Sequence, residues 1–236
     1  MTAASSAITA ILAANRWFTE LPEGAGERMV ALSQRREYAD GQLIHAKGDW
    51  PEGLMGVVSG RVRISSVHAD GHEAILTYLE PGHWFGEIAM FDGRARTHDA
   101  WAEEKCTLLL LPRAEFNRLL DDRRELYPHF LRLMCQRLRL AFDVIEDTAL
   151  LPFPARLARR LLQLAEAHGA ARRGDRLIDL HLGQEQLAMM LGASRQTVNK
   201  CLKEWEGLGW IRIDYGRLAL DTGALTGLVH DFEASD

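Results

Sequence analysis

The sequence predicts an α+β fold in three parts: a jelly-roll-like β domain, one long helix, and a winged helix-turn-helix. Three observations predict it. Turn signals recur at intervals of about ten or eleven residues, at Gly48-Asp49, Ser59-Gly60, Asp70-Gly71, Pro81-Gly82 and Asp92-Gly93. Beyond Pro128, apolar residues follow helical spacing to Leu150 without a further proline or any glycine. Finally, residues 182–202 place a glycine and a cap-forming serine between two helices with apolar faces, and two alternating runs follow around Gly216.

The β domain is assigned to residues 1–120. Helical turns from Ala7 to Leu32 precede short β-type runs at Leu54–Val58, Val62–Ser65, Ala74–Tyr78 and Thr107–Leu111. Strands this short, punctuated this regularly, suit an antiparallel sandwich or barrel. Pro112 is read as opening a short helix that ends near Leu120.

Residues 121–151 form the second part. Its helix, of about 20 residues, spans near 30 Å. One apolar lane holds Leu126, Phe130, Leu133, Leu140 and Val144, and the other holds Met134, Leu138, Ala141, Ile145 and Thr148. Two lanes imply two partners: the chain's own β domain, and the same helix of a second subunit in a homodimer. The alternative is one broad face buried within a single chain.

The third part is 152–236. Pro152 and Pro154 interrupt the helical pattern and mark a hinge, because proline lacks an amide donor and restricts its predecessor. A helix is expected over Ala155–His168 and a polar loop over Gly169–Gly174. The next helix packs Leu187, Ala188 and Leu191, and Gly192 allows a sharp turn. Ser194 caps a second helix whose Val198, Leu202 and Trp205 face inward. Ser194, Arg195, Gln196, Thr197, Asn199 and Lys200 then lie on or beside its outer face, where such side chains reach base edges and phosphates of double-stranded DNA. A generic surface helix would also be polar there, but would not need the glycine turn and the cap together. Trp210–Ile213 and Arg217–Leu220 alternate about Asp214-Tyr215-Gly216, a hairpin that reads as a wing.

Charge supports that placement. The 236 residues carry a formal net charge of −5, which taken over the whole chain opposes binding to a polyanion. Yet residues 151–220 hold 11 basic and 7 acidic side chains, while 1–120 hold 12 and 16, 121–150 hold 5 and 6, and 221–236 hold four acids and no Lys or Arg. The helix-turn-helix therefore sits in a unit of net charge +4 between acidic neighbours. The acidic tail, residues 221–236, and the acidic β domain are expected to restrain non-specific phosphate binding. With 47% hydrophobic residues the chain can bury a core. No apolar run is long enough to span a membrane, no basic residue precedes the apolar stretch Ala7–Ala14 as in a secretory signal, and three scattered cysteines suit a reducing cytoplasm.

In order and spacing these features resemble the CRP/FNR family of bacterial transcription regulators. The resemblance runs from Leu21-Pro22 through Gly41-Gln42-Leu43-Ile44, Gly48-Asp49 and Phe85-Gly86-Glu87-Ile88-Ala89 to the helix-turn-helix. It implies a cytoplasmic homodimer with a double-stranded β-helix of cyclic-nucleotide-binding type, a dimerisation helix and a winged helix-turn-helix that binds a palindromic operator. RNA polymerase is a further partner if the protein activates. The dimer contacts implied are Phe130, Leu133, Met134, Arg137, Leu138, Ala141, Val144 and Ile145. By position, Arg195 matches the arginine that grips guanine, Gln196 stands where the cyclic AMP receptor has glutamate, and Lys200 stands where it has arginine. Glutamine favours adenine where glutamate accepts from cytosine, so the operator is expected to be related but not identical.

Gly86, Glu87 and Ile88, with Arg96-Thr97, resemble the cassette that holds a cyclic phosphate on an arginine, a hydroxyl and backbone amides, with the glutamate on the ribose. Cyclic AMP or cyclic GMP is the effector this implies. Two departures stand beside it. His98 replaces the usual alanine, and Ala141-Phe142 replace the threonine and serine that face the adenine. The alternative is a structural Glu87–Arg96 ion pair in a sensor with a different effector or none.

Other chemistries fit less well. Three scattered cysteines cannot supply a four-cysteine iron–sulfur cluster. Cys135 is expected to be a small buried side chain. His45, His68, His72, His83, His98 and His129 show no metal-ligand spacing, and His68 and His72 straddle a turn. No nucleophile–base constellation is present, so an enzyme is not expected. A cyclic-nucleotide-binding module without DNA activity is the remaining class, and the basic 151–220 unit argues against it.

Overall fold

The computed structural model describes residues 3–171, 176–178, 183–214 and 217–233. The chain divides into two compact units, 1–138 and 139–236, and each is considered by itself.

The first unit opens with helices α1 (Ala3–Leu12), α2 (Arg16–Thr19) and α3 (Ala25–Leu32). Eight strands follow: β1 (Gln34–Tyr38), β2 (Leu43–His45), β3 (Gly53–Ser59), β4 (Val62–Val67), β5 (Glu73–Leu79), β6 (Trp84–Phe85), β7 (Asp99–Ala102) and β8 (Cys106–Pro112), with α4 (Glu87–Asp92) between β6 and β7. They form two four-stranded antiparallel sheets, ordered β1-β8-β3-β6 and β2-β7-β4-β5. All four expected strands lie within β3, β4, β5 and β8.

Strands β3 and β8 read as unbroken apolar runs because both of their faces are covered. Met55, Val57, Leu108 and Leu110 point into a core shared with Val62, Leu79, Ala100 and Ala102 of the other sheet. Leu54, Val58, Leu109 and Leu111 point the other way, into a second core built with Trp17, Phe18, Met29, Phe116 and Phe130. By contrast β1, sequence Gln34-Arg35-Arg36-Glu37-Tyr38, is an exposed edge strand paired to β8 from Gln34↔Leu110 to Tyr38↔Cys106. Pro112 ends β8 and stands just before α5 (Arg113–Asp122), which therefore starts one residue later than expected.

Helix α6 (Tyr127–Leu150) has 24 residues, about 36 Å at 1.5 Å per residue. Of its expected dimer contacts, Phe130 is wholly buried in its own chain and Leu133 packs against the same core. Met134 and Arg137 are half-buried, whereas Leu138, Ala141, Val144 and Ile145 are exposed. Cys135 is exposed as well, contrary to expectation, because it falls off the face of α6 that Phe130 directs at the core.

The second unit continues with α7 (Phe153–His168), β9 (Gly169–Ala171), β10 (Arg176–Ile178), α8 (Gln184–Leu191), α9 (Arg195–Gly207), β11 (Ile211–Asp214), β12 (Arg217–Leu220) and α10 (Thr222–Glu233). Its strands form one sheet ordered β11-β12-β10-β9. Part of the expected polar loop is thus strand, with Gly169–Ala171 pairing antiparallel to Arg176–Ile178; residues 172–175 lie outside the described residues. The wing hairpin forms in register from Ile211↔Leu220 to Asp214↔Arg217, its Tyr215-Gly216 turn also lying outside the described residues. The acidic tail is largely helix α10, and buried Leu225 and Val229 make it part of the core.

Candidate functional site

Two surfaces carry the expected chemistry, one in each unit. In the second, Gly192 sits at φ +60°, a left-handed conformation that glycine reaches without Cβ strain, and closes α8. Ser194 caps α9, its Oγ accepting from Thr197 N at 3.0 Å and lying 2.8 Å from Thr197 Oγ1. Val198, Cys201, Leu202 and Trp205 are buried beneath α9, and Leu187 and Ala188 are buried on α8. That packing turns Arg195, Gln196, Thr197 and Lys200 to solvent. Asn199 is half-buried, and Gln184 Nε2 donates to its Oδ1 at 3.3 Å. Among the described residues, no side-chain hydrogen bond or ion pair ties down Arg195, Gln196 or Lys200. Free donors on a capped, rigid helix suit a duplex groove.

In the first unit, Gly86 begins α4 at φ +89°, and a Cβ there would lie 2.0 Å from Arg96 Nη1. Only glycine lets that guanidinium in. Arg96 donates from Nη1 to Gly86 O at 3.0 Å and from Nη2 to Gly53 O at 2.7 Å, with just 5% of the residue exposed. Its backbone is fixed too, Arg96 N donating to Asp49 O and Gly48 N donating to Arg96 O. Burial pulls the guanidinium below its ordinary pKa, opposed by the carboxylates of Glu87, Glu52 and Asp49.

Glu87 is completely buried. It forms no direct pair with Arg96. Instead Arg137 reaches across from α6, Nη1 donating to Glu87 Oε1 and Nη2 to Trp84 O. The alternative of a direct Glu87–Arg96 ion pair is not what forms: Arg96 donates to carbonyls, and Glu87 pairs with a cation from the long helix. Glu87 Oε2 is buried with no hydrogen-bond partner, an acceptor that lacks a donor. Ile88 and Thr97 present exposed side chains beside this cluster.

Two histidines border Arg96. His45 Nδ1 is buried without a partner and its ring lies 6.0 Å from that of Phe85. Burial and the Arg96 charge push His45 down to about 4, with Asp49 and Asp99 opposing and His98 adding slightly to the fall. Burial and Lys47 lower His98 as well, opposed by Asp99. His68 and His72 both face Asp70 Oδ1 at 3.0 Å on an exposed hairpin, as a solvated turn would have them. Among the described residues no group of His, Cys, Asp and Glu is placed to hold a metal, and no helix is long and apolar enough to cross a membrane.

Arg137 was expected only at a dimer contact. A signal for its second role exists in the sequence: it follows Phe130 and Leu133 at helical spacing, so it continues the lane that faces the β domain.

A β sandwich with a buried arginine–glutamate cluster, a long helix reaching into it, and a capped helix-turn-helix with a wing together define a DNA-binding regulator with a sensor domain. Family comparisons agree. Residues 35–123 match the cyclic nucleotide-binding domain and residues 155–228 the Crp-like helix-turn-helix domain. The chain is 33% identical over 189 residues to the CRP-like cAMP-activated global transcriptional regulator of Mycobacterium tuberculosis, covering 79% of this chain and 84% of that one. It is 33% identical over 199 residues to the cyclic AMP receptor protein of Thermus thermophilus, covering 83% and 88%. A solved CRP/FNR-family transcriptional regulator from Thermus thermophilus superposes with a TM-score of 0.68 at 29% identity, covering 84% of this chain and 98% of that one. The protein belongs to the CRP/FNR family of transcription regulators.

Proposed function

We propose that this regulator acts as a homodimer on a palindromic operator, with a cyclic nucleotide as the effector held at Gly86, Glu87 and Arg96 of the β domain. The functional parts are 1–120, 121–151 and 152–236. One observation carries the reading: Glu87, at the heart of the sensor, is paired to Arg137 of α6 while its second oxygen is buried without a donor. A ligand hydroxyl would satisfy that oxygen, and Arg96 retains guanidinium N–H groups beyond the two it donates to carbonyls. The same carboxylate would then be shared between ligand and long helix. An effector changes DNA affinity only by favouring one arrangement of the protein over another, and this shared carboxylate is where the preference can arise.

The exposed apolar residues of α6 support the homodimer, since a face of this kind calls for a partner helix. Two dimeric recognition helices would address half-sites about 34 Å apart. Arg195 would read guanine, Gln196 an adenine, and Lys200 and Thr197 the phosphates. RNA polymerase is the further partner if the regulator activates.

A second reading, an effector other than a cyclic nucleotide, draws on Ala141 and Phe142, which carry no hydroxyl for a base, and on His98 beside the cassette. Selection of bound DNA from a random pool, with cyclic AMP, with cyclic GMP and with neither, separates the two. A palindromic consensus bound more tightly with one nucleotide is the expected result. A consensus whose affinity neither nucleotide changes would leave the second reading.

A further inference from the structure

Asp147 and Arg159 lie 12 positions apart in sequence, one near the end of α6 and the other on α7. Along an unbroken helix that interval is about 18 Å, out of reach of any ion pair. Here Arg159 Nη1 donates to Asp147 Oδ1 across the break at Leu151-Pro152. The contact therefore exists in a bent arrangement of these two segments and vanishes if they straighten. Both side chains are largely withdrawn from water, at 14% exposure for Asp147 and 26% for Arg159, so the pair is less screened than a surface bridge. The local charge sharpens the need for the cation, because Asp143 and Glu146 crowd Asp147 from the same helix. Pro152 and Pro154 remove two amide donors at the break, which keeps the segments from fusing into one helix.

We propose that Asp147 and Arg159 are a positioning pair: their contact holds one angle between the C-terminal half of α6 and α7, and thereby sets the intrinsic DNA affinity of the regulator before any effector acts. The inference rests on the DNA-binding reading given above. A contact made in only one arrangement biases the equilibrium toward it by its own free energy, and removing either partner releases the bias.

The test is a double-mutant cycle in the full-length protein, with the affinity of the selected operator measured without nucleotide. The variants are Asp147→Asn, Arg159→Gln, the two together, and the exchange Asp147→Arg with Arg159→Asp. Each single change is expected to move operator affinity about three- to tenfold in the same direction, the double variant to match a single one, and the exchange to recover most of the original value. Arg159→Lys, which keeps the charge, should fall between. Operator affinity within twofold of the parent in both single variants would overturn the proposal. So would effects that simply multiply in the double variant, since that means the residues act separately. Loss of fold is distinguished by the exchange variant, which restores the pair, and by thermal unfolding of each protein. If the parent binds no selected operator either with or without nucleotide, the DNA reading fails instead, and that arm is read before the variants.

Discussion

The two arginines placed at the proposed sites sit in opposite circumstances. Arg96 is buried and spends donors on the carbonyls of Gly53 and Gly86, so its position is set by the backbone around it. Arg195 is exposed at the start of a capped helix, and among the described residues its side chain has no bonded partner. The first is part of the fold, and under the proposed reading it can offer a ligand only the N–H groups left over from its carbonyl bonds. The second contributes little to the fold and is free to adapt to a duplex. Sensing and reading thus place opposite demands on the same side chain.

The sharpest way to break that comparison is to truncate both. Arg96→Ala leaves two buried carbonyls without donors and opens a void, and should cost about 2–5 kcal/mol of stability in urea unfolding. Arg195→Ala should leave the same unfolding curve within about 0.5 kcal/mol. Equal losses would remove the distinction.

A second effect belongs to the sensor alone. His45 has a folded pKa of about 4 against an ordinary 6.5. Between those values the unfolded chain binds a proton that the native chain refuses, so stability falls as pH drops through that window and is intact above it. The full loss is roughly 3 kcal/mol by the lower end. Denaturation at a series of pH values should show this slope, and His45→Gln should flatten it. An unchanged slope in that variant would place the proton elsewhere.

In the reading unit the effects appear in DNA binding instead. Arg195→Ala should weaken operator affinity by about 1–3 kcal/mol and relax discrimination at one base position, measured by titration against operator and single-base variants. A smaller and more selective effect is expected of Gln196→Glu. It should shift the preferred base at one symmetric position toward cytosine on the contacted strand while the rest of the consensus stays, which repeated selection would reveal.

Much of this organisation was legible in the chain. Regular turn signals marked the sandwich, and the Gly192-to-Ser194 spacing located the helix-turn-helix to the residue, because caps and turns are local chemistry. Less local features were not. Strand β1 shows no apolar alternation, since its place at a sheet edge comes from pairing with β8 rather than from its own side chains. Helix α10 was hidden by Gly223, Gly227 and two threonines, which are weak helix formers, although Leu225 and Val229 stand four apart on one face. That also changes how the tail's electrostatic role is tested: deleting residues 221–236 would remove core side chains, so neutralising Asp221 and Asp231 is the informative variant. The Glu87–Arg137 contact joins residues 50 positions apart, each of which had been given a separate role. Burial brings them together, and periodicity hints only at which face of α6 is turned inward.

The bare apolar stretch of α6 has one more consequence. Leu138, Leu140, Val144 and Ile145 are each more than half exposed in a single chain. If two chains must meet to cover them, operator occupancy at low abundance rises with the square of the chain's concentration. Gene dosage then becomes an input in its own right: halving expression would lower occupancy by about fourfold, a threshold that acts before any small molecule is sensed.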